Sequence, residues 1–305
     1  MKKRGQHYVW KHYLESWTTN GKLFCLRNNE IFETAPVNIG KKRDFYRLNE
    51  LTEQDIFNIK LLISNMPVSS QKIHIGWINF FNVVFDLKKI CESASVKNAE
   101  IEKELDIALN NFEEDLHSKI EGMGAPYIEN IIDTNLSFFD NQEERYDFCY
   151  FLAVQYFRTN FIKKQAIETF SNFGDKVSPE FTPYILNMEK SWNILSHIFA
   201  TNVGFSLSYM RLILLKNNTQ IPFVTADQPA INLKATYNIK EPPEEFELYY
   251  PLSPNIAILL VDKNKDLFSE NLNEDDVVKL NNAIVNASLE QIYANNRTIL
   301  EQYIK

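Results

Sequence analysis

Glycine is scarce, with eight in 305 residues. So few glycines argue against a glycine-rich loop that cradles phosphate and against the many tight turns of a β-propeller. The chain carries no G-x-G-x-x-G, no P-loop, no G-x-S-x-G and no H-E-x-x-H. Cysteine is equally thin. Cys25, Cys91 and Cys149 stand far apart with no C-x-x-C between them, which argues against a zinc knuckle or redox pair and fits a reducing cytosol. No apolar run reaches the roughly 18 residues of a membrane span, and the basic start MKKR is not followed by the apolar core of a signal peptide. The expectation is a cytoplasmic protein without membrane contact. Positive charge is in deficit: 32 basic against 40 acidic residues leave a net charge of −8. That argues against a general polyanion binder and leaves room for a local basic patch.

What the chain does have is apolar mass, 45% hydrophobic and 13% aromatic, enough for a packed core. The opening GQHYVWKHYLESW is dense with aromatics where termini are usually loose, so Tyr8, Trp10, Tyr13, Leu14 and Trp17 are expected to form a buried plug. GKLFCLRNNEIFETAP reads as a hairpin turning at Asn28-Asn29. Thr52 is a candidate N-cap for Ile56, Ile59 and Ile63. Residues 69–91 read as a helix buried on most sides. Residues 96–121 carry an apolar stripe from Ile101 to Ile120 with acids and lysines opposite. Asp140 and Glu143 suggest a capped start for the longest helix, about 140–172, and another follows Ser178-Pro179 to about Asn202. Strands return after residue 204, and a final helix is expected over 273–295. The acidic runs EIEKELD and EPPEEFE read as solvent faces or loops.

The order predicts an α+β fold that is mainly helical, with the N-terminal hairpin joining the C-terminal strands in one antiparallel or mixed sheet. A single domain over 1–305 is expected, with a plug and hairpin (1–50), a helical block (51–203) and C-terminal strands plus helix (204–305).

The stretches QHYVWKHYLESW, GKLFCLRNNEIF and KRDFYRL resemble the opening of the bacterial family called domain of unknown function 4238. His7, Tyr8, Val9, Tyr13 and Leu14 match its His-Tyr-Val-Pro-x-x-Tyr-Leu-x-x-Phe-like start, with Trp10 in place of the proline and Trp17 in place of the phenylalanine. LAVQYFRTN and FVTADQPAINL, then YYPLSP, also look like the family, so the resemblance runs over nearly the whole chain. It implies no particular reaction; the context it implies is antiphage defence or toxin-like action.

Candidate site residues come from three distant segments. His7 is a candidate acid/base, metal ligand or structural donor; His12, five residues on, faces elsewhere on a helix or a strand and reads as an ordinary surface residue. Gln155, Arg158 and Thr159 share a face if the helix is continuous. Arg158 on an apolar helix needs either a carboxylate partner or an anionic ligand. Asp227 ends a strand before Gln228-Pro229, as a cleft carboxylate or an Asx-turn former. Lys41, Lys42, Arg43 and Arg47 make the early chain locally basic.

One reading is a hydrolase acting on nucleic acid or nucleotide, with His7, Arg158 and Asp227 catalytic and Tyr8, Arg43, Gln155 and Gln228 binding ligand. The strand IAILLVDKNK offers Asp262 and Lys263 without the spacing of a restriction-type nuclease, so no metal site is expected, and no cofactor is indicated. The alternative is a non-catalytic ligand-binding or sensor module. Geometry separates the two: a catalytic cluster opens to a cleft and a structural one is sealed.

Overall fold

The computed structural model describes residues 1–94, 98–174, 178–235, 245–264 and 272–304. Most of EPPEEFE lies outside them. The chain runs through β1 (Gly5–His7), α1 (Lys11–Glu15), β2 (Leu23–Arg27), β3 (Glu30–Thr34), β4 (Lys41–Arg43), α2 (Glu53–Ile63), α3 (Val68–Ser93), α4 (Ala99–Ile132), α5 (Gln142–Phe157), α6 (Asn160–Gly174) and α7 (Met188–Leu207). It continues through β5 (Arg211–Lys216), β6 (Thr225–Ala226), β7 (Ile231–Asn232), β8 (Leu248–Pro251), β9 (Ile256–Val261), α8 (Glu274–Ala287), β10 (Ile292–Ala294) and α9 (Thr298–Glu301). The fold is α+β, mostly helical with small antiparallel sheets. Among the described residues, no helix is long and apolar enough to cross a membrane. The chain gathers into two compact units: Met1–Gln6, Lys42–Lys119 and Lys163–Phe199 form the first, and His7–Lys41, Ile120–Ile162 and Ala200–Lys305 the second.

In the second unit the hairpin turns where Asn28 and Asn29 take φ of 52° and 62°, the positive values that a tight turn between twisted strands requires. Its β2 pairs with β10, Tyr293 opposite Cys25, and β10 pairs with β6. The hairpin therefore does join C-terminal strands, but only two of them. β5, β9, β8 and β7 form a separate four-stranded sheet. The split falls at Asp227–Ala230. Asp227 still donates its N–H to the Gln291 carbonyl at 3.0 Å, and Pro229, two residues on, has no N–H to offer a ladder.

The opening plug lies in this unit. Val9, Leu14 and Trp17 are fully buried and Tyr8, Trp10 and Tyr13 nearly so. The N–H groups of Tyr8 and Val9 both donate to the Gly40 carbonyl, at 2.9 and 3.1 Å. Gly40 sits at φ +60°, and a Cβ there would lie 2.9 Å from that of Val9, so both the backbone angle and the space require glycine. The Tyr13 hydroxyl donates to the Pro251 carbonyl and accepts from Thr225, each at 2.6 Å, joining the two sheets, while its ring stacks on Tyr250 at 4.9 Å.

In the first unit Thr52 and Asp55 close a capping box on α2, as the sequence suggests. α3 corrects its expectation: Ile78, Phe81, Val84 and Phe85 are buried, but Ile73, Phe80, Val83, Leu87 and Ile90 are exposed. A 3.6-residue period turns only one face of a helix to its neighbours, and the apolar residues here exceed that face.

Three more boundaries differ from the sequence reading. The segment 140–172 breaks at Arg158-Thr159, so α4, at 34 residues, is longer than the 16-residue α5. The cap of α5 is Asn141, which accepts from the N–H groups of Glu143 and Glu144, not Asp140. The expected helix over 273–295 ends at Ala287, and Ile292 lies on strand β10.

Candidate functional site

Arg158 caps the C-terminus of α5, and its side chain is almost wholly buried. Nη1 reaches the Glu121 carboxylate and Nη2 the His7 backbone carbonyl, each at 2.5 Å, with the Gln155 oxygen at 3.5 Å. Its carboxylate partner is thus Glu121, not Asp227. Thr159, at the break, donates to the Gln228 side-chain oxygen, and Gln228 donates in turn to the carbonyls of Tyr156 and Ala230. No continuous helix face carries these groups; long-range polar contacts hold them at the break.

Asp227 lies among other partners. Its carboxylate accepts N–H bonds from Leu289 at 2.8 Å, Glu290 at 2.7 Å and Gln291 at 3.1 Å, which ties the segment after α8 to β6. Burial pushes its carboxyl up to about 6, against the downward pull of those three bonds. Tyr8 accepts from Gln291 at 3.2 Å, and its phenol is pushed up by burial and by Asp227 nearby. Arg43 belongs to the first unit, exposed beside Asp44 at 3.6 Å. His12 is exposed and meets Glu15 at 2.8 Å. His7 is half-buried, and burial, then the charges of Lys41 and Arg158, lower its imidazole to about 4. Arg158, Asp227, Gln155, Gln228 and Tyr8 are each at most 3% exposed. His7 shares its backbone carbonyl with Arg158, but no described bond joins either to Asp227.

These shifts predict opposed pH effects. A histidine whose folded pKa lies below its unfolded one loses stability as pH falls, here between about 6.5 and 4. A carboxyl whose folded pKa is raised gains stability as pH falls, here from about 6 towards 3.8. Relative to wild type, His7→Gln should gain stability on going from pH 7 to pH 4.5, and Asp227→Asn should lose it. Urea midpoints at the two pH values measure this; the same sign in both variants would contradict the assignment.

A second cluster, in the first unit, escapes the sequence reading. Glu113 and His117 sit one turn apart on α4, and His197 on α7; all three side chains are at most 3% exposed. The apolar stripe of α4 implies that its acids face solvent, yet Asn110, Glu113 and His117 are buried while Phe112 and Leu116 of that stripe are only half-buried. The available signal was the E-x-x-x-H spacing, which puts both side chains on one helix face. Burial works against the Glu113 charge, but the two imidazoles beside it bring its carboxyl down to about 2. These three residues are the described group that could hold a metal ion.

A cleft of about 540 Å³ opens in the second unit. Arg145, Arg211 and Lys263 converge on it, with Phe139 and Met210 as apolar wall and Asp140 as the acid. The β5–β9 register sets Arg211 opposite Val261, which brings Lys263, two residues further on, to the same end of the sheet. Arg145 donates to the Phe139 carbonyl at 3.2 Å and lies over the Phe139 ring at 5.8 Å. Sequence reasoning missed this cleft because its cations are spread over more than a hundred residues.

A sequence family described as "Protein of unknown function (DUF4238)" matches residues 5–298. No curated protein and no solved structure matches the chain.

Proposed function

We propose, for a chain that belongs to the DUF4238 family, a ligand-binding module whose ligand is an anionic small molecule bearing phosphate, such as a nucleotide. The observation that carries this is the convergence of Arg145, Arg211 and Lys263 on one open cleft of about 540 Å³. That volume lies within the range of small-molecule sites, which combine apolar walls with a few placed polar groups. Arginine forks suit phosphate oxygens, and Phe139 and Met210 offer an apolar surface to a base or similar ring. The sealed state of Arg158 and Asp227 also favours binding over hydrolysis, because a catalytic group has to touch its substrate. A cytoplasmic location belongs to this reading, supported by the three free thiols.

Calorimetric titration with a nucleoside triphosphate and with inorganic pyrophosphate tests it. Wild type should bind, and Arg145→Ala with Lys263→Ala should weaken binding by roughly 10- to 100-fold per lost charged hydrogen bond. No binding at millimolar probe, or unchanged affinity in the double variant, overturns the proposal.

The second reading is a hydrolase of nucleic acid or nucleotide with His7 as acid/base. Its support is a half-buried imidazole beside the cations Lys41 and Arg158; the lowering to about 4 works against it, since an acid/base acts best with a pKa near the working pH. Turnover of RNA, DNA or nucleotides that is lost in His7→Ala would establish it; no turnover by wild type would exclude it for those substrates.

A further inference from the structure

We infer that Glu113, His117 and His197 bind one divalent transition-metal cation of the zinc class, independently of the anion cleft. Two imidazoles and a carboxylate are a donor set that such cations accept. One donor atom from each residue lies within 4.8 Å of the others. Glu113 Oε1 stands 3.5 Å from His117 Nε2 and 3.6 Å from His197 Nε2. These separations are those of ion pairs between the carboxylate and both imidazoles. They are close to the edge of a coordination tetrahedron, since zinc–ligand distances of about 2.0–2.1 Å separate neighbouring donors by about 3.3–3.4 Å.

The surroundings hold the donors in place. The other Glu113 oxygen accepts from Asn193 Nδ2, which fixes the carboxylate as an outer-sphere partner does. Tyr46 packs on the His117 ring at 4.5 Å and Trp77 on the His197 ring at 4.9 Å. Glu113 and His117 come from α4 and His197 from α7, so a shared cation clamps the two helices within the first unit. A site this deeply buried offers substrate no access, so the cation stabilises the fold rather than activating water for a reaction. Three protein donors leave one position for a small ligand such as water.

The test uses the full-length chain stripped of metal by chelation. Titration with Co²⁺ should give the visible bands of a tetrahedral ion, saturating at one equivalent, and Zn²⁺ should displace it and raise the unfolding temperature. His197→Gln and Glu113→Gln should abolish the bands, and Asn193→Ala should weaken binding by about 10- to 100-fold. Should a variant fail to fold, imidazole ¹⁵N resonances of the wild type decide: Zn²⁺-induced shifts confined to His117 and His197 support the site. No Co²⁺ bands in the folded stripped chain, shifts only at other histidines, or unchanged affinity in a folded His197→Gln variant overturns it.

Discussion

Deleting residues 1–17 is expected to leave the chain unable to fold cooperatively. From Tyr8 to Trp17 the deleted segment contributes six buried apolar side chains to the second unit, with Lys11, His12 and Glu15 on its exposed side. Four of these are Tyr8, Trp10, Tyr13 and Trp17, and large aromatics bury about 150–250 Å² each. At about 25 cal/mol per Å² the rings alone represent roughly 15–25 kcal/mol, an upper bound because unfolded chains already bury some of this area. Even half of it rivals the roughly 5–15 kcal/mol net stability of a whole domain. The hydroxyl of Tyr13 adds a specific loss, since Thr225 and the Pro251 carbonyl would each lose a buried partner. Trp17→Ala alone should cost about 3–5 kcal/mol. Circular dichroism melts and urea titration check both changes. A truncated chain melting cooperatively within a few degrees of full length would show that the plug is an accessory and not part of the core.

Arg158→Met is expected to destabilise by about 3–5 kcal/mol, as breaking a buried ion pair does. The guanidinium meets Glu121 and the His7 carbonyl at once, so methionine leaves a charge with little water around it and a carbonyl without its donor. The desolvation of Glu121, only 16% exposed at its side chain, dominates that cost. It follows that the double variant Arg158→Met with Glu121→Leu should recover a large part of the loss, since removing both partners leaves no orphaned charge. Urea titration of the two single variants and the double variant measures the coupling. A single-variant cost below about 1 kcal/mol, or costs that simply add in the double variant, would mean that the pair contributes little to the fold.

Much of the local structure is legible in the residues themselves. The Asn28-Asn29 turn, the Thr52 cap with Asp55, and the aromatic plug follow from positive-φ tolerance, side-chain capping and apolar density, each a property of a short stretch of chain. The family also follows from the sequence, because its motifs are contiguous. The α+β class follows from the order of helical and alternating periods.

Tertiary structure decided where that periodicity stops and which polar groups meet. No glycine or proline stands at Arg158-Thr159; the Thr159 hydroxyl caps α6 locally by accepting from the Ile162 N–H at 3.4 Å, and Glu121, the His7 carbonyl and Gln228 hold the break from distant segments. Residues 288–294 read as helix because Ile292 falls on period, yet their N–H groups satisfy Asp227 and their strand completes the hairpin sheet. The same holds for function. Arg158 and Asp227 both needed compensation, as their apolar surroundings implied, but the partners were Glu121 and backbone N–H groups rather than each other. The E-x-x-x-H spacing sets Glu113 beside His117 on α4, but only the packing of α4 against α7 brings it to His197 as well. Periodicity records which residues tend to be buried, whereas the pairing of buried polar groups depends on distances across the fold that no single segment encodes.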